Sequence, residues 1–100
     1  MPENPLNVIK SNDPEFFKLV DKTREFALSE GGALPLKVKF LIALALDASK
    51  GAEGGVTYLS GEAMKAGATK QEIMEALRVT QYVCGVGSTY TAGRGLKNVF

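Results

Sequence analysis

The chain has 100 residues, of which 45% are hydrophobic, and twelve basic residues against eleven acidic ones leave a formal net charge of +1. This length fits one globular domain, and so small a charge excludes the positive field with which proteins hold nucleic acid or an anionic membrane. The sequence has one cysteine, Cys84, and no histidine. It therefore excludes an internal disulfide and a two-cysteine redox reaction within one chain.

The sequence carries no recognisable targeting or membrane-spanning segment. Residues 1–10 are polar and contain proline, so we expect no signal peptide there. The longest apolar run, residues 40–46, is too short to cross a bilayer. Together with the single cysteine, these features predict a soluble cytoplasmic protein without membrane contact.

The spacing of apolar residues predicts an all-α fold of about five helices over residues 13–100, preceded by an irregular arm over residues 1–12. Asp13 is predicted to cap the first helix, because Pro14 suits the first helical position and Glu15 complements the positive helix end. We interpret residues 13–100 as a single helical domain.

A second helix is predicted from about Pro35 to about Lys50, and its middle is apolar on nearly every face. A helix that is apolar all round must be covered all round, and a chain of this length offers few helices to do so. The pattern favours burial by a second subunit over a central helix surrounded by its own neighbours.

Three more helices are predicted after this one. The third follows the glycine-rich residues 51–55 and ends near Ala66. Thr69 and Glu72 then form the pattern of a capping box, which begins the fourth helix. This fourth helix presents one face made of Ile73, Leu77, Thr80 and Cys84, and the last helix runs from about Ser88 to about Val99.

Two segments carry a family resemblance: residues 39–45, KFLIALA, and residues 63–77, AMKAGATKQEIMEAL. Through them the chain resembles the carboxymuconolactone decarboxylase and alkylhydroperoxidase-D-like family over about residues 15–98. The resemblance implies an alkylhydroperoxidase-D-like helical bundle. It also implies an obligate homo-oligomer, often a trimer or hexamer, with the ancestral site near a subunit interface.

The resemblance further implies where a redox member of the family would keep its reactive groups. Counted back from residues 67–69, the two cysteine positions fall on Ala52 and Gly55, the histidine position on Leu59, and the glutamate position on Phe40. None of these side chains can ionise. The decarboxylase branch looks to use a histidine near the same place, and this sequence has none. Both chemistries of the family are therefore unsupported at their own positions.

Three residues near these positions are weak candidates for acid–base catalysis: Glu53, Tyr58 and Glu62. The favoured interpretation is structural, because Glu53 complements a helix N-terminus and Glu62 makes an ordinary exposed pair with Lys65.

Cys84 is a candidate for a lone peroxide-reactive thiol. The favoured interpretation is a small core residue on the face of the fourth helix, at a C-terminal helix end that disfavours a thiolate. Four residues of the last two helices are interpreted as interface anchors, or alternatively as ligands of a small anion in a cleft between subunits: Arg78, Tyr82, Tyr90 and Arg94.

The sequence thus predicts an oligomeric family member that has lost the dithiol peroxidase residues, with a structural or small-molecule-binding role and no cofactor or metal. One alternative is a decarboxylase or other acid–base enzyme that uses Glu53, Tyr58 and Glu62. The other is a weak peroxidase that uses Cys84.

Overall fold

The structure, a computed structural model, describes residues 4–100, and this part of the chain is all-α, as predicted, with no strand. It forms two compact units, Met1–Glu30 and Gly31–Phe100, which are described in turn. The helices are α1 Leu6–Asn12, α2 Pro14–Ala27, α3 Leu36–Ser49, α4 Glu53–Lys65, α5 Lys70–Cys84 and α6 Val86–Leu96.

The first unit contains α1 and α2, which contact each other. The start of α2 is as predicted: Pro14 is its first residue, and the Asp13 carboxylate accepts a hydrogen bond from the Phe16 amide at 3.0 Å. The Lys10 ammonium lies 5.4 Å from the centre of the Phe17 ring, a cation–π distance.

The prediction of an irregular arm over residues 1–12 is wrong for residues 6–12, which form α1, while residues 1–3 lie outside the described part. The prediction of an arm rested on Asn4-Pro5 and Ser11-Asn12 as turn formers, and the structure places Pro5 and Asn12 at the two ends of α1. Pro5 is the N-cap, where its missing N–H interrupts no intrahelical hydrogen bond, and Asn12 is the last helical residue. The second unit begins at Gly31, whereas the predicted domain begins at residue 13.

Helix α3 contacts α4, α5 and α6, the three other helices of the second unit. It begins directly after Pro35, as predicted, and buries one face formed by Phe40, Leu44 and Ala48. On its other side Ile42 and Leu46 remain 46% and 55% exposed. The other helices of the second unit therefore cover α3 only in part.

Helices α4 and α6 approach each other closely at Gly95. A Cβ atom on Gly95 would lie 2.8 Å from the Val56 Cβ and 2.9 Å from the Glu53 carbonyl oxygen, well inside van der Waals contact. The Thr57 hydroxyl donates a hydrogen bond to the Gly95 carbonyl at 2.6 Å. The missing side chain is thus what allows the two helices to meet.

Helix α5 begins with the predicted capping box. The Glu72 amide donates to the Thr69 hydroxyl at 3.0 Å, and the Thr69 amide donates to the Glu72 carboxylate at 2.9 Å. The same carboxylate forms an ion pair with the Lys37 ammonium of α3 at 2.9 Å. The hydrogen bond from Lys37, followed by that from the Thr69 amide, lowers the pKa of Glu72 below its ordinary value of 4.5.

Helix α6 begins two residues earlier than predicted and ends three residues earlier. Gly85 has a φ of +87°, a conformation open to glycine at little cost. It separates α5 from α6 by a single residue, so Val86 already belongs to the new helix.

Candidate functional site

The four positions at which the redox branch would carry reactive groups lie on α3 and along the start of α4. Phe40 is buried within α3. Ala52 is the N-cap of α4, Gly55 stands in its first turn, and Leu59 follows one turn later, all three partly buried. That these are vacated family positions stays a prediction.

Asp47, which is not among the predicted site residues, lies against this turn. A Cβ atom on Gly55 would collide with the Asp47 carboxylate, with the Cγ only 2.7 Å away. Asp47 belongs to the last turn of α3, and its carbonyl accepts a hydrogen bond from the Ala52 amide at 2.9 Å. The space that a side chain at Gly55 would need is therefore filled by the Asp47 carboxylate.

The short connection between α3 and α4 explains this contact. Gly51, with a φ of +78°, reverses the chain within a few residues. The last turn of α3 and the first turn of α4 thereby come together. The glycine-rich residues 51–55 were a usable signal for so tight a turn, but they did not indicate which side chain would fill it.

The structure does not bring all three acid–base candidates together, because Glu53 lies on a different face of α4 from Tyr58 and Glu62. In an α-helix, spacings of five and nine residues correspond to rotations of about 140° and about 180°, so Tyr58 and Glu62 face away from Glu53. The Glu53 carboxylate pairs with the Arg94 guanidinium of α6 at 2.7 Å. Glu62 pairs with Lys65 at 3.4 Å. These contacts favour the structural interpretation of Glu53 and Glu62.

The prediction that Cys84 is a core residue is wrong, because its side chain is exposed. Ile73, Leu77 and Thr80 of the same predicted face are buried. The buried face ends at Thr80, and residues 81–87, which form the end of α5 and the start of α6, are all exposed. The other helices of the second unit leave the last turn of α5 uncovered.

Cys84 lies at one end of an apolar groove of about 380 Å³ between α3 and α5. Val79 and Val83, on the α5 side, are 64% and 73% exposed. We refer to this surface as the α3–α5 groove; its lining consists of Val38, Leu41, Ile42, Ala45, Leu46, Ser49, Ala76, Val79, Thr80, Val83 and Cys84.

A second cavity, of about 300 Å³, lies on a different face of α5, against α6. Two of its polar residues bind each other, since the Thr89 hydroxyl donates to the Gln81 side-chain oxygen. We refer to this cavity as the α5–α6 cleft; it is lined by Met74, Leu77, Arg78, Gln81, Thr89, Ala92, Gly93 and Leu96.

The four predicted interface anchors fall into different surroundings. Arg78 lines the α5–α6 cleft, while Tyr90 and Arg94 line an adjoining cavity of about 440 Å³. Tyr82 is 89% exposed and lines neither. Their role as interface anchors stays a prediction.

Within residues 4–100, no cluster of three or more histidine, cysteine, aspartate or glutamate side chains is placed to hold a metal ion. Among the same residues, no helix has both the length and the apolar character needed to cross a membrane.

Comparison with known proteins identifies the class. The sequence model of the carboxymuconolactone decarboxylase family matches residues 14–95, and the chain belongs to this family. It is 31% identical over 86 residues to an uncharacterized protein of Methanocaldococcus jannaschii, an alignment that covers 86% of this chain and 79% of that protein.

A solved structure supports the same assignment. The apo form of a carboxymuconolactone decarboxylase family protein from Legionella pneumophila is similar to this chain with a TM-score of 0.84 and 30% sequence identity. The match covers 92% of this chain and 81% of that one. The resemblance drawn from residues 39–45 and 63–77 is thereby confirmed.

Proposed function

We propose that the chain is a homo-oligomeric binding protein of the carboxymuconolactone decarboxylase family, without dithiol peroxidase activity, and that its subunits associate through the α3–α5 groove. The observation that carries this proposal is the groove itself. It is a concave, almost wholly apolar surface formed by α3 and α5 of the second unit.

The apolar residues of the groove support association with a second copy of the chain. Ile42, Leu46, Val79 and Val83 are each about half exposed or more, and they lie together along two neighbouring helices. A contiguous exposed apolar patch of this kind marks an interaction surface. The groove contains no charged side chain, which suits the core of a subunit interface.

Two features support the loss of dithiol chemistry. The chain has a single cysteine, so no resolving thiol exists within it. The Asp47 carboxylate fills the side-chain space at Gly55, and a negative charge there opposes the formation of a neighbouring thiolate. A structural or ligand-binding role needs neither a reactive thiol nor a resolving thiol.

The test of the assembly is the mass in solution, measured by light scattering at micromolar concentration. The wild type is expected to be a multimer, such as a trimer or hexamer, and Val83→Glu to dissociate it because the substitution places a charge in the apolar groove. Gln71→Glu adds the same charge to α5 outside the groove and should leave the mass unchanged. A wild-type monomer, or a multimer indifferent to Val83→Glu, contradicts the proposal.

The exposure of Cys84 is the one observation that favours the peroxidase alternative. With a dithiol reductant present, we expect the wild type to turn over peroxide no faster than the Cys84→Ser variant does. Turnover that disappears in Cys84→Ser would replace our proposal with the single-cysteine peroxidase.

A further inference from the structure

We propose that the α5–α6 cleft is a binding site for a small monocarboxylate with an apolar body, held at its charged end by Arg78. The inference deepens the binding role proposed above and rests on it. It does not depend on the groove, because the cleft and the α3–α5 groove share no residue.

The size of the cleft limits the ligand. About 300 Å³ is at the lower end of the range for small-molecule sites, so the cleft fits a ligand with the dimensions of a single ring or a short alkyl chain. Leu77 and Leu96 contribute apolar surface to it. Such a lining suits a hydrocarbon body.

The polar groups of the cleft favour a negatively charged ligand. Arg78 makes no hydrogen bond or ion pair with the described residues, and no acidic side chain lines the cleft. Arg94, the other arginine of this region, differs because it is already paired with Glu53. A guanidinium presents two parallel N–H donors that match the two oxygens of a carboxylate.

Gln81 adds a second donor. Its side-chain oxygen is occupied by the hydrogen bond from the Thr89 hydroxyl, which holds the amide in place and leaves its NH₂ group to donate. Together with Arg78, the cleft thus offers donors to an anionic oxygen, whereas its side-chain oxygens, on Thr89 and Gln81, are bonded to each other. This asymmetry favours a carboxylate over an amine or a neutral amide.

Gly93 keeps the cleft open. A Cβ atom on this residue would meet no atom within 4 Å, although Gly93 lines both this cleft and the adjoining cavity. A Cβ atom at this position therefore requires no displacement of its neighbours. Gly93→Leu is thus the variant that tests whether a side chain at the wall of the cleft prevents binding.

The experiment is a titration of the full chain with benzoate and hexanoate, and with benzamide and hexanamide as uncharged analogues, followed by calorimetry and by amide chemical shifts. We expect saturable binding of at least one carboxylate and at least about tenfold weaker binding of its amide, which corresponds to roughly 1.4 kcal/mol. Arg78→Gln should remove this preference, and Gly93→Leu should abolish binding of both forms.

Lys70→Gln is the matched control, since it removes a cation from the same helix outside the cleft, and it should bind as the wild type does. Equal affinity for acid and amide, retention of the preference in Arg78→Gln, or no carboxylate binding at millimolar concentration would overturn the inference. Binding of the amides alone would leave the general binding role standing and reject the carboxylate. The titration is interpreted independently of subunit mass, so a monomer that binds benzoate refutes the assembly and not the site.

Discussion

Two glycines of α6, Gly93 and Gly95, differ sharply in what surrounds them. The α4 backbone and Val56 lie against Gly95, whereas Gly93 faces open space. Gly95 is thus required by packing, and Gly93 only leaves a cavity unfilled.

We expect Gly95→Ala to lower the free energy of unfolding by about 1–3 kcal/mol, because the added methyl group must displace α4. Gly93→Ala should instead raise it by about 0.5–1 kcal/mol through helix propensity. Denaturant unfolding at one fixed protein concentration measures both, since assembly makes stability concentration-dependent. Equal effects of the two substitutions would show that the close approach at Gly95 is not what stabilises this part of the bundle.

The contact between Asp47 and Gly55 calls for a double-mutant cycle. Gly55→Ala should destabilise the wild type because its methyl group collides with the Asp47 carboxylate. In an Asp47→Ala background the same substitution should become stabilising, as alanine is favoured over glycine within a helix. Additive effects, with no coupling between the two positions, would contradict the contact.

At the scale of elements, Glu72 joins two helices, since its carboxylate caps α5 and binds Lys37 of α3. Its pKa is lowered in the folded chain. Its contribution to stability is therefore complete above its ordinary value of 4.5 and is lost as the pH falls through the lower folded value.

This dependence of stability on pH is tested by measuring the free energy of unfolding of the wild type and of Glu72→Gln from neutral pH down through the folded pKa of Glu72. The wild type should be the more stable at neutral pH, and the difference should vanish once the pH falls below the folded pKa. Glu75→Gln, on the same helix but outside the capping box, should show a much smaller change. A difference between wild type and Glu72→Gln that is independent of pH would mean that the charge of Glu72 has no part in it.

Helix α5 also shows how one element serves two surfaces. Val79 and Val83 line the α3–α5 groove, while Arg78 and Gln81 line the α5–α6 cleft. Because the spacing of these residues places them on different faces, a substitution in one surface leaves the other unaltered. The assembly and the ligand site can therefore be tested separately.

Across the whole molecule, the sequence predicted correctly those features that depend on residues close together in the chain. The capping box of α5 and the start of α2 depend on residues within one helical turn, and both were predicted. Helix α1 was missed because Pro5 and Asn12 are turn formers in isolation and become helix-end residues only when the intervening residues are helical.

The features of the candidate site that were missed depend on contacts between elements. The Asp47 carboxylate over Gly55 and the pairing of Glu53 with Arg94 join residues of different helices, and no periodicity encodes them. The exposure of Cys84 was missed for a related reason. Helical spacing assigns a residue to a face, but only the neighbouring helices determine where the cover of that face ends.

We propose that a second copy of the chain covers the α3–α5 groove, and the reactivity of Cys84 reports on this cover. The thiol lines the groove and is exposed in the single chain. If the groove is covered, a thiol reagent should label the native protein far more slowly than the unfolded protein, and dilution or Val83→Glu should speed the reaction. Native labelling as fast as that of the unfolded protein at every concentration would contradict the account.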